Sequence, residues 1–319
     1  MSTPIIIDCD PGHDDAIAIL LAAASPELEL LAVTTVAGNT TLDKTTANAI
    51  RVLDLLGIDT PVAAGADRPL VRDLVVAEYV HGASGLDGPV LDPPSRAPDP
   101  RHAVELMAQV VAASERPVTL VPVGPLTNVA LFLAVYPDLA ARLERVVLMG
   151  GSIGMGNVTP SAEFNIYVDP EAAHRVFGSG LDVTMIGLDV THRALLRPHD
   201  AARFAGGGRV SRFVADLYGF FSRHEPAGGA QGVPVHDALA IAHVIWDDLV
   251  VTESRAVEID RGEQGRGRTV VDRRRRGARP GAVSVATEVD GVRFAELLVE
   301  RIESLDRGPG GRRVRRPPG

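Results

Sequence analysis

Four aspartates, Asp8, Asp10, Asp14 and Asp15, fall within eight residues in the segment IIIDCDPGHDDAIAILLA. Carboxylates packed this closely repel one another unless a cation sits among them. Helix capping accounts for one or two, since acids are favoured at a helix N-terminus, but not for four straddling the end of an apolar run. The donors are all oxygen, and no Cys/His pair has zinc spacing. The hard cations Ca²⁺ and Mg²⁺ are therefore expected over zinc. The single cysteine, Cys9, excludes an intrachain disulfide and any multi-cysteine metal centre. It alternates with Asp8 and Asp10 along a strand end and is read as packing inward.

Something must hold these acids in place. Ile5 to Asp8, Leu30 to Val36, Val118 to Pro122, Val146 to Met149 and Val183 to Ile186 are short, rich in Val, Ile, Leu and Thr, and flanked by turn residues, as buried parallel strands are. Between them, Ala16 to Ala24, Thr45 to Leu56, Ala103 to Ala113, Leu126 to Val135 and Glu171 to Phe177 have helical length and spacing. The alternation predicts an α/β fold, an open, mostly parallel, doubly wound sheet. Ligands in such sheets bind beyond the carboxyl ends of the strands, where the aspartates lie. Residues 199–248 read as mostly helical. Arg255 to Ile259, Arg268 to Asp272 and Ala282 to Thr287 read as short strands before a closing helix, Val292 to Glu303, with RGEQGRGR as a turn between the first two.

With 45% hydrophobic and 23% charged residues, the 319-residue chain is neither disordered nor fibrous. No linker or repeat divides it, so one catalytic domain is expected over residues 1–306. Residues 307–319, RGPGGRRVRRPPG, form an Arg/Gly/Pro-rich tail expected to be disordered. The net charge is −9 although five arginines fall in that tail, so the body is acidic and would repel nucleic acid. The N-terminus lacks a basic segment and a long apolar run. No signal peptide or membrane partner is expected, and a cytoplasmic location is the default.

DCDPGHDD resembles the DxDPGxDD signature of the nucleoside hydrolases, the inosine-uridine preferring family. The likeness continues in order through VAGN at Val36 to Asn39, HGASGLDG at His81 to Gly88, VGPLTNVA at Val123 to Ala130 and LMGG at Leu148 to Gly151. AEFNIYVDPEAA at Ala162 to Ala173 and VHDALA at Val235 to Ala240 complete it, so it spans nearly the whole chain except the tail. The resemblance implies calcium-dependent hydrolysis of the N-glycosidic bond of ribonucleosides. It implies that Asp10, Asp15, Asp237 and the Val123 carbonyl ligate the calcium, with Asp10 also taking a proton from the attacking water. Asp14 and Asn39 would bind the 2′ and 3′ hydroxyls, and Asn157, Glu163 and Asn165 would approach the 5′ and 3′ hydroxyls. His236 would protonate the departing base and His81 would lie near it. Asp8 would support the loop, the ligands beginning at Asp10. A homodimer or homotetramer acting on a small ribonucleoside is implied as well. One segment departs from the family: members favouring pyrimidines often carry a tyrosine between Arg223 and Val235, and this chain has none there, leaving His224 as a candidate substitute.

Two other chemistries can be read into the chain. GNTTLDKT at Gly38 to Thr45 nearly fits a phosphate loop, but Asp43 replaces the glycine before the lysine and would face the phosphates. An aspartyl phosphatase using the DCD segment wants a lysine beside the phosphate, and Lys44 is the only lysine available. The non-enzymatic alternative is a calcium-stabilised riboside-binding protein.

Overall fold

A computed structural model describes residues 2–224, 231–274 and 282–307. The arginine tail beyond Arg307, and six residues of the segment from Arg223 to Val235, lie outside the described residues.

Eight strands form the central sheet: β1 (Thr3–Cys9), β2 (Leu28–Thr35), β3 (Val62–Ala64), β4 (Val118–Pro122), β5 (Leu143–Met149), β6 (Val183–Ile186), and, late in the chain, β9 (Val250–Arg255) and β12 (Val283–Val289). Two short pairs lie apart from it, β7 (Leu195–Leu196) with β8 (Val233–Pro234) and β10 (Val257–Ile259) with β11 (Thr269–Val271). The sheet order is β3-β2-β1-β4-β5-β6-β12-β9, parallel throughout except for the antiparallel edge strand β9. From β1 the chain winds outward to β3, then returns to β4 on the other side. The crevice between the ends of β1 and β4 is thus the point where the winding reverses, and binding sites of open sheets form there.

The helices on the two faces are α1 (His13–Ala24), α2 (Leu42–Leu56), α3 (Glu78–His81), α4 (Ala103–Ala113), α5 (Thr127–Val135), α6 (Pro137–Ala140), α7 (Phe164–Val168), α8 (Pro170–Phe177), α9 (Leu188–Thr191), α10 (Pro198–Ala202), α11 (Arg209–His224), α12 (His236–Ile245) and α13 (Gly291–Leu305). The period-2 pleat of β1 divides its side chains between two cores: Ile5, Ile7 and Cys9 pack with α1 and α12, whereas Ile6 packs on the other face with α4 and α5. Cys9 is fully enclosed, with its thiol directed at the Thr34 carbonyl 3.5 Å away. Burial and the surrounding acids push that thiol well above its usual value, so it is an inert packing residue as the alternation predicts. Burying helix α1 against α2, α12 and α13 explains why it is apolar nearly all round.

Strands β4 and β6 and helix α4 coincide with their expected bounds. Strand β3 is not among the expected strands, because three residues of VAA carry too little pattern to register. The RGEQGRGR segment does connect two antiparallel strands, β10 and β11. Strand β12 joins the main sheet beside β6, and Val250–Arg255, which no sequence pattern marks, closes its edge. As a half-exposed edge strand, VVTESR lacks the continuous apolar run that marks the central ones. No helix among the described residues is long and apolar enough to cross a membrane.

Candidate active site

The chain leaves β1 at Cys9, passes through Asp10-Pro11-Gly12 and enters α1 at His13. Asp15 turns back over that step: its Oδ1 accepts the Asp10 amide at 3.1 Å and its Oδ2 accepts the Gly12 amide at 2.9 Å. These two bonds from backbone amides to the Asp15 carboxylate fix the loop at the α1 N-terminus. Asn39, in the loop after β2, donates its amide to Asp10 Oδ2 at 2.6 Å and its side-chain Nδ2 to the Asp10 carbonyl and Asp15 Oδ2 at 3.2 and 3.1 Å. Asp10 Oδ1 is buried and has no hydrogen-bond partner among the described residues.

Asp237 reaches the same place from the start of α12. The β7–β8 pair and the Val235 amide, which donates to the Ala194 carbonyl at 3.2 Å, return the chain to this end of the sheet. Carboxylate oxygens of Asp14, Asp15 and Asp237 all lie within 4.8 Å of one another, and all three residues are buried. Asp10, expected among the metal ligands, is not in this converging trio but adjoins it through the hydrogen bond its backbone N–H donates to Asp15. Burial and then the mutual repulsion of the acids push Asp10 and Asp237 well above the usual carboxylate range, and burial raises Asp15 too. Buried acids in such mutual repulsion are candidates to hold a cation.

Above the acids opens a cavity of about 380 Å³. Of the expected residues, Asp14, Asn39, His81, Val123, Asn157, Glu163, Asn165, His236 and Asp237 line it, while Asp10 and Asp15 lie beneath its floor. The polar wall is pre-bonded. Asn165 Nδ2 donates to the carbonyls of Val123 and Met149 at 2.8 and 3.2 Å, and Asn157 Oδ1 accepts the Phe164 amide at 2.9 Å. Glu163 caps α7, accepting the amides of Asn165 and Ile166 at 2.9 and 3.2 Å, and also the Gly151 amide at 2.9 Å. Burial outweighs these bonds and lifts its carboxyl to about 7.

Asp8 faces away from the cavity floor. Its Oδ1 accepts from Thr34 Oγ1 and Asn128 Nδ2 at 2.7 and 2.8 Å, its carbonyl accepts the Val123 amide at 2.8 Å, and burial raises it to about 7. It ties β1 to β2 and to the start of α5, a supporting role consistent with the expectation for it.

His236 sits at the cavity wall with Nδ1 2.7 Å from the Thr191 hydroxyl, leaving Nε2 for the cavity. Burial, then the neighbouring His192, lower its pKa to about 3, so the ring is uncharged at neutral pH. His81 at the end of α3 lies opposite the α1 N-terminus and is likewise held well below its usual value by burial. His224 does not line the cavity; it is exposed at the end of α11, stacked on Phe220 with centroids 4.1 Å apart. Sequence reasoning missed His192, Tyr79 and Phe221, which also line the cavity, and His13 behind His81. His192 directly follows the Thr191 that holds His236, and only the pairing of β7 with β8 reveals that adjacency. His13 stands inside the aspartate motif, where the acids draw attention from it.

The sequence profile of the inosine-uridine preferring nucleoside hydrolases matches residues 5–296. The chain belongs to this family. It is 50% identical over 312 residues to the pyrimidine-specific ribonucleoside hydrolase RihA of Shewanella woodyi, covering 96% of this chain and 100% of that one. The RihA of Salmonella arizonae is 52% identical over 309 residues, covering 95% and 99%. Among solved structures, the purine-preferring ribonucleoside hydrolase from Gardnerella vaginalis superposes with a TM-score of 0.89 at 32% identity, covering 95% of this chain and 99% of that one. This nucleoside hydrolase is thus an N-ribohydrolase, with the family's open α/β sheet and a cluster of acids at its centre.

Proposed function

We propose that the enzyme hydrolyses pyrimidine ribonucleosides to free base and ribose with a calcium ion at the acidic floor. The convergence of Asp14, Asp15 and Asp237 beneath a riboside-sized cavity carries this reading. The preference for pyrimidines is supported by the relatives with about half of their residues in common over nearly their whole length, which are named pyrimidine-specific. The chain departs from the pattern of pyrimidine-preferring members in lacking a tyrosine between Arg223 and Val235.

The donor set fits a hard divalent cation. Every candidate ligand is an oxygen, Asp10 and Asp237 are desolvated among other acids, and Asp10 Oδ1 is buried with no donor to accept from among the described residues. Asp10, Asp15, Asp237 and the Val123 carbonyl would hold the ion, with Asp14 close enough to share it. When bound, calcium neutralises the carboxylates and polarises the sugar hydroxyls and the water beside them.

The chain's own residues do the rest. Asn39 and Asp14 bind the 2′ and 3′ hydroxyls, so a 2′-deoxy sugar leaves buried polar groups without partners. Asn157, Glu163 and Asn165 hold the far side of the ribose. Asp10 takes the proton of the water that attacks C1′, and the carboxylates stabilise the oxocarbenium-like sugar as the bond to the base breaks. His236 donates a hydrogen bond from Nε2 to the departing base, which leaves with the bonding electron pair and takes its proton from solvent, since an uncharged ring does not release its only proton. With the Thr191 hydroxyl donating to Nδ1, the proton of a neutral His236 sits on Nε2, the nitrogen turned to the cavity.

The test is to incubate the purified protein with calcium and a panel of uridine, cytidine, inosine, their 2′-deoxy forms and nucleotides, following free ribose and base. Fastest release from uridine and cytidine is expected. Equal or faster cleavage of inosine would refute the pyrimidine assignment, and release of phosphate from nucleotides without base would refute the glycosidic one.

A further inference from the structure

The hairpin of β10 and β11 stands apart from the central sheet, and no step of the reaction above uses it. Its residues nevertheless close on one stretch of chain, 151–168, which carries Asn157, Glu163 and Asn165. Thr269 of β11 is buried, and its hydroxyl meets both backbone groups of Ser152: it donates to the Ser152 carbonyl at 2.6 Å and accepts the Ser152 amide at 2.8 Å. One hydroxyl thus replaces a strand partner, since it donates once and accepts at the same time. Beside it, Arg268 pairs with Ala162 in an antiparallel bridge. Arg266 donates to the carbonyls of Tyr167 and Val168 at 2.9 and 3.3 Å, with its guanidinium 4.2 Å from the centroid of the Tyr167 ring. Gly267, at a φ of +75°, lets the turn come this close, because a Cβ there would stand 2.5 Å from the Tyr167 Cα.

We propose that this hairpin braces the polar wall of the cavity, with Thr269 as the positioning residue that sets Glu163 and Asn165 against the 5′ end of the ribose. Thr269 grips the peptide that follows the one donating to Glu163, for the Gly151 amide meets Glu163 Oε2 at 2.9 Å. Glu163 in turn accepts the Asn165 amide at 2.9 Å, and Asn165 Nδ2 reaches the Val123 carbonyl. The hydroxyl of Thr269 is thus joined to the cavity by an unbroken run of hydrogen bonds and one peptide. Asp189 of α9 secures the next two amides, those of Ile153 and Gly154, at 2.6 and 3.1 Å. The turn is therefore clamped by two elements, and Thr269 holds the residue nearer to Glu163's donor.

The assignment to the 5′ end rests on the proposed reaction; the brace itself does not, and its first test needs no turnover. Thr269→Val keeps the shape of the side chain but strips the Ser152 amide and carbonyl of their partner, whereas Thr269→Ser keeps the hydroxyl. In the full-length, calcium-loaded protein, hydrogen exchange of the amides of residues 151–154 should quicken ~10-fold or more in Thr269→Val, with strand β5 unchanged. Thr269→Ser should exchange like the wild type. Exchange over 151–154 that did not quicken, or that rose equally in β5, would overturn the brace. The second test compares uridine with 5′-deoxyuridine. Thr269→Val should lower kcat/KM for uridine by ~10- to 10²-fold and for 5′-deoxyuridine by no more than ~3-fold, because the contact at stake is already missing there, and Thr269→Ser should restore both. Equal losses on the two substrates, or a wild-type enzyme that does not distinguish them, would overturn the positioning role. A wild-type enzyme that released base from no ribonucleoside would instead refute the proposed reaction, and the exchange result would still decide the brace.

Discussion

The acidic floor and the imidazole wall of the cavity are built on different principles. The floor comes from strand ends and helix starts at the reversal point of the sheet, and its carboxylates are held by backbone amides such as those of Asp10, Gly12 and Asn39. The wall comes from separate elements, α3, α11, α12 and the end of α9, whose rings meet edge-on at His192 and His236, through His13 of α1 behind His81 and Phe221, and through the Thr191 hydroxyl beside His236. Sugar chemistry demands charge in fixed positions, which backbone amides near a helix N-terminus supply. Recognition of a base would demand shape and hydrogen-bond polarity, which a set of packed rings can supply.

Substitutions on the two sides should separate the two functions. The largest effect is expected from Asp10→Ala, which removes a candidate calcium ligand and the base for water together. Turnover of uridine and of an activated aryl riboside should both fall by ~10⁴-fold or more. If the aryl riboside were spared, the floor would serve the base and not the sugar. His236→Ala should lower uridine cleavage by ~10²- to 10⁴-fold yet largely spare the aryl riboside, whose phenolate leaves without a proton. Equal losses on both substrates would move His236 to the floor's side of the comparison. Thr191→Val, which removes the hydroxyl 2.7 Å from His236 Nδ1, should give the same pattern at about 10-fold, through loss of one orienting hydrogen bond.

The smallest effect is one of stability. Asp10, Asp15 and Asp237 have raised pKa values in the folded, ion-free protein, so there they retain protons that the unfolded chain releases. Their folded-state advantage is therefore present at low pH and lost as pH rises. Calcium must displace those protons, so the rise in Tm on adding calcium should grow between about pH 5 and pH 8, and chelator should reverse it. A calcium-induced shift in melting temperature that shrank with pH would place the ion away from these acids.

The same division governs what can be read from the sequence. Asp8 to Asp15 announce a cluster of acids in need of a counter-charge, although the structure turns Asp8 away from it, and Val118 to Pro122 announce a buried strand by a nearly continuous apolar run. His192, Tyr79 and Phe221 announce nothing, since only the tertiary fold brings them to the cavity, and His13 is brought only to the back of its wall. That Asp14 joins Asp15 and Asp237 in the convergent trio also emerges only in the structure, because successive residues on a first helical turn point in different directions.

Gly38 and Gly124 crowd Asp10 from two sides: a Cβ at either position would stand 2.1 or 2.6 Å from one of its carboxylate oxygens. The carboxylate can therefore sit flush between two stretches of bare backbone, with little room to choose another rotamer. Its conformational entropy is surrendered when the chain folds, not each time a nucleoside arrives. A carboxylate frozen in this way adds no ordering penalty to ligand capture, so in the proposed reaction binding free energy can go into deforming the sugar toward its reactive shape.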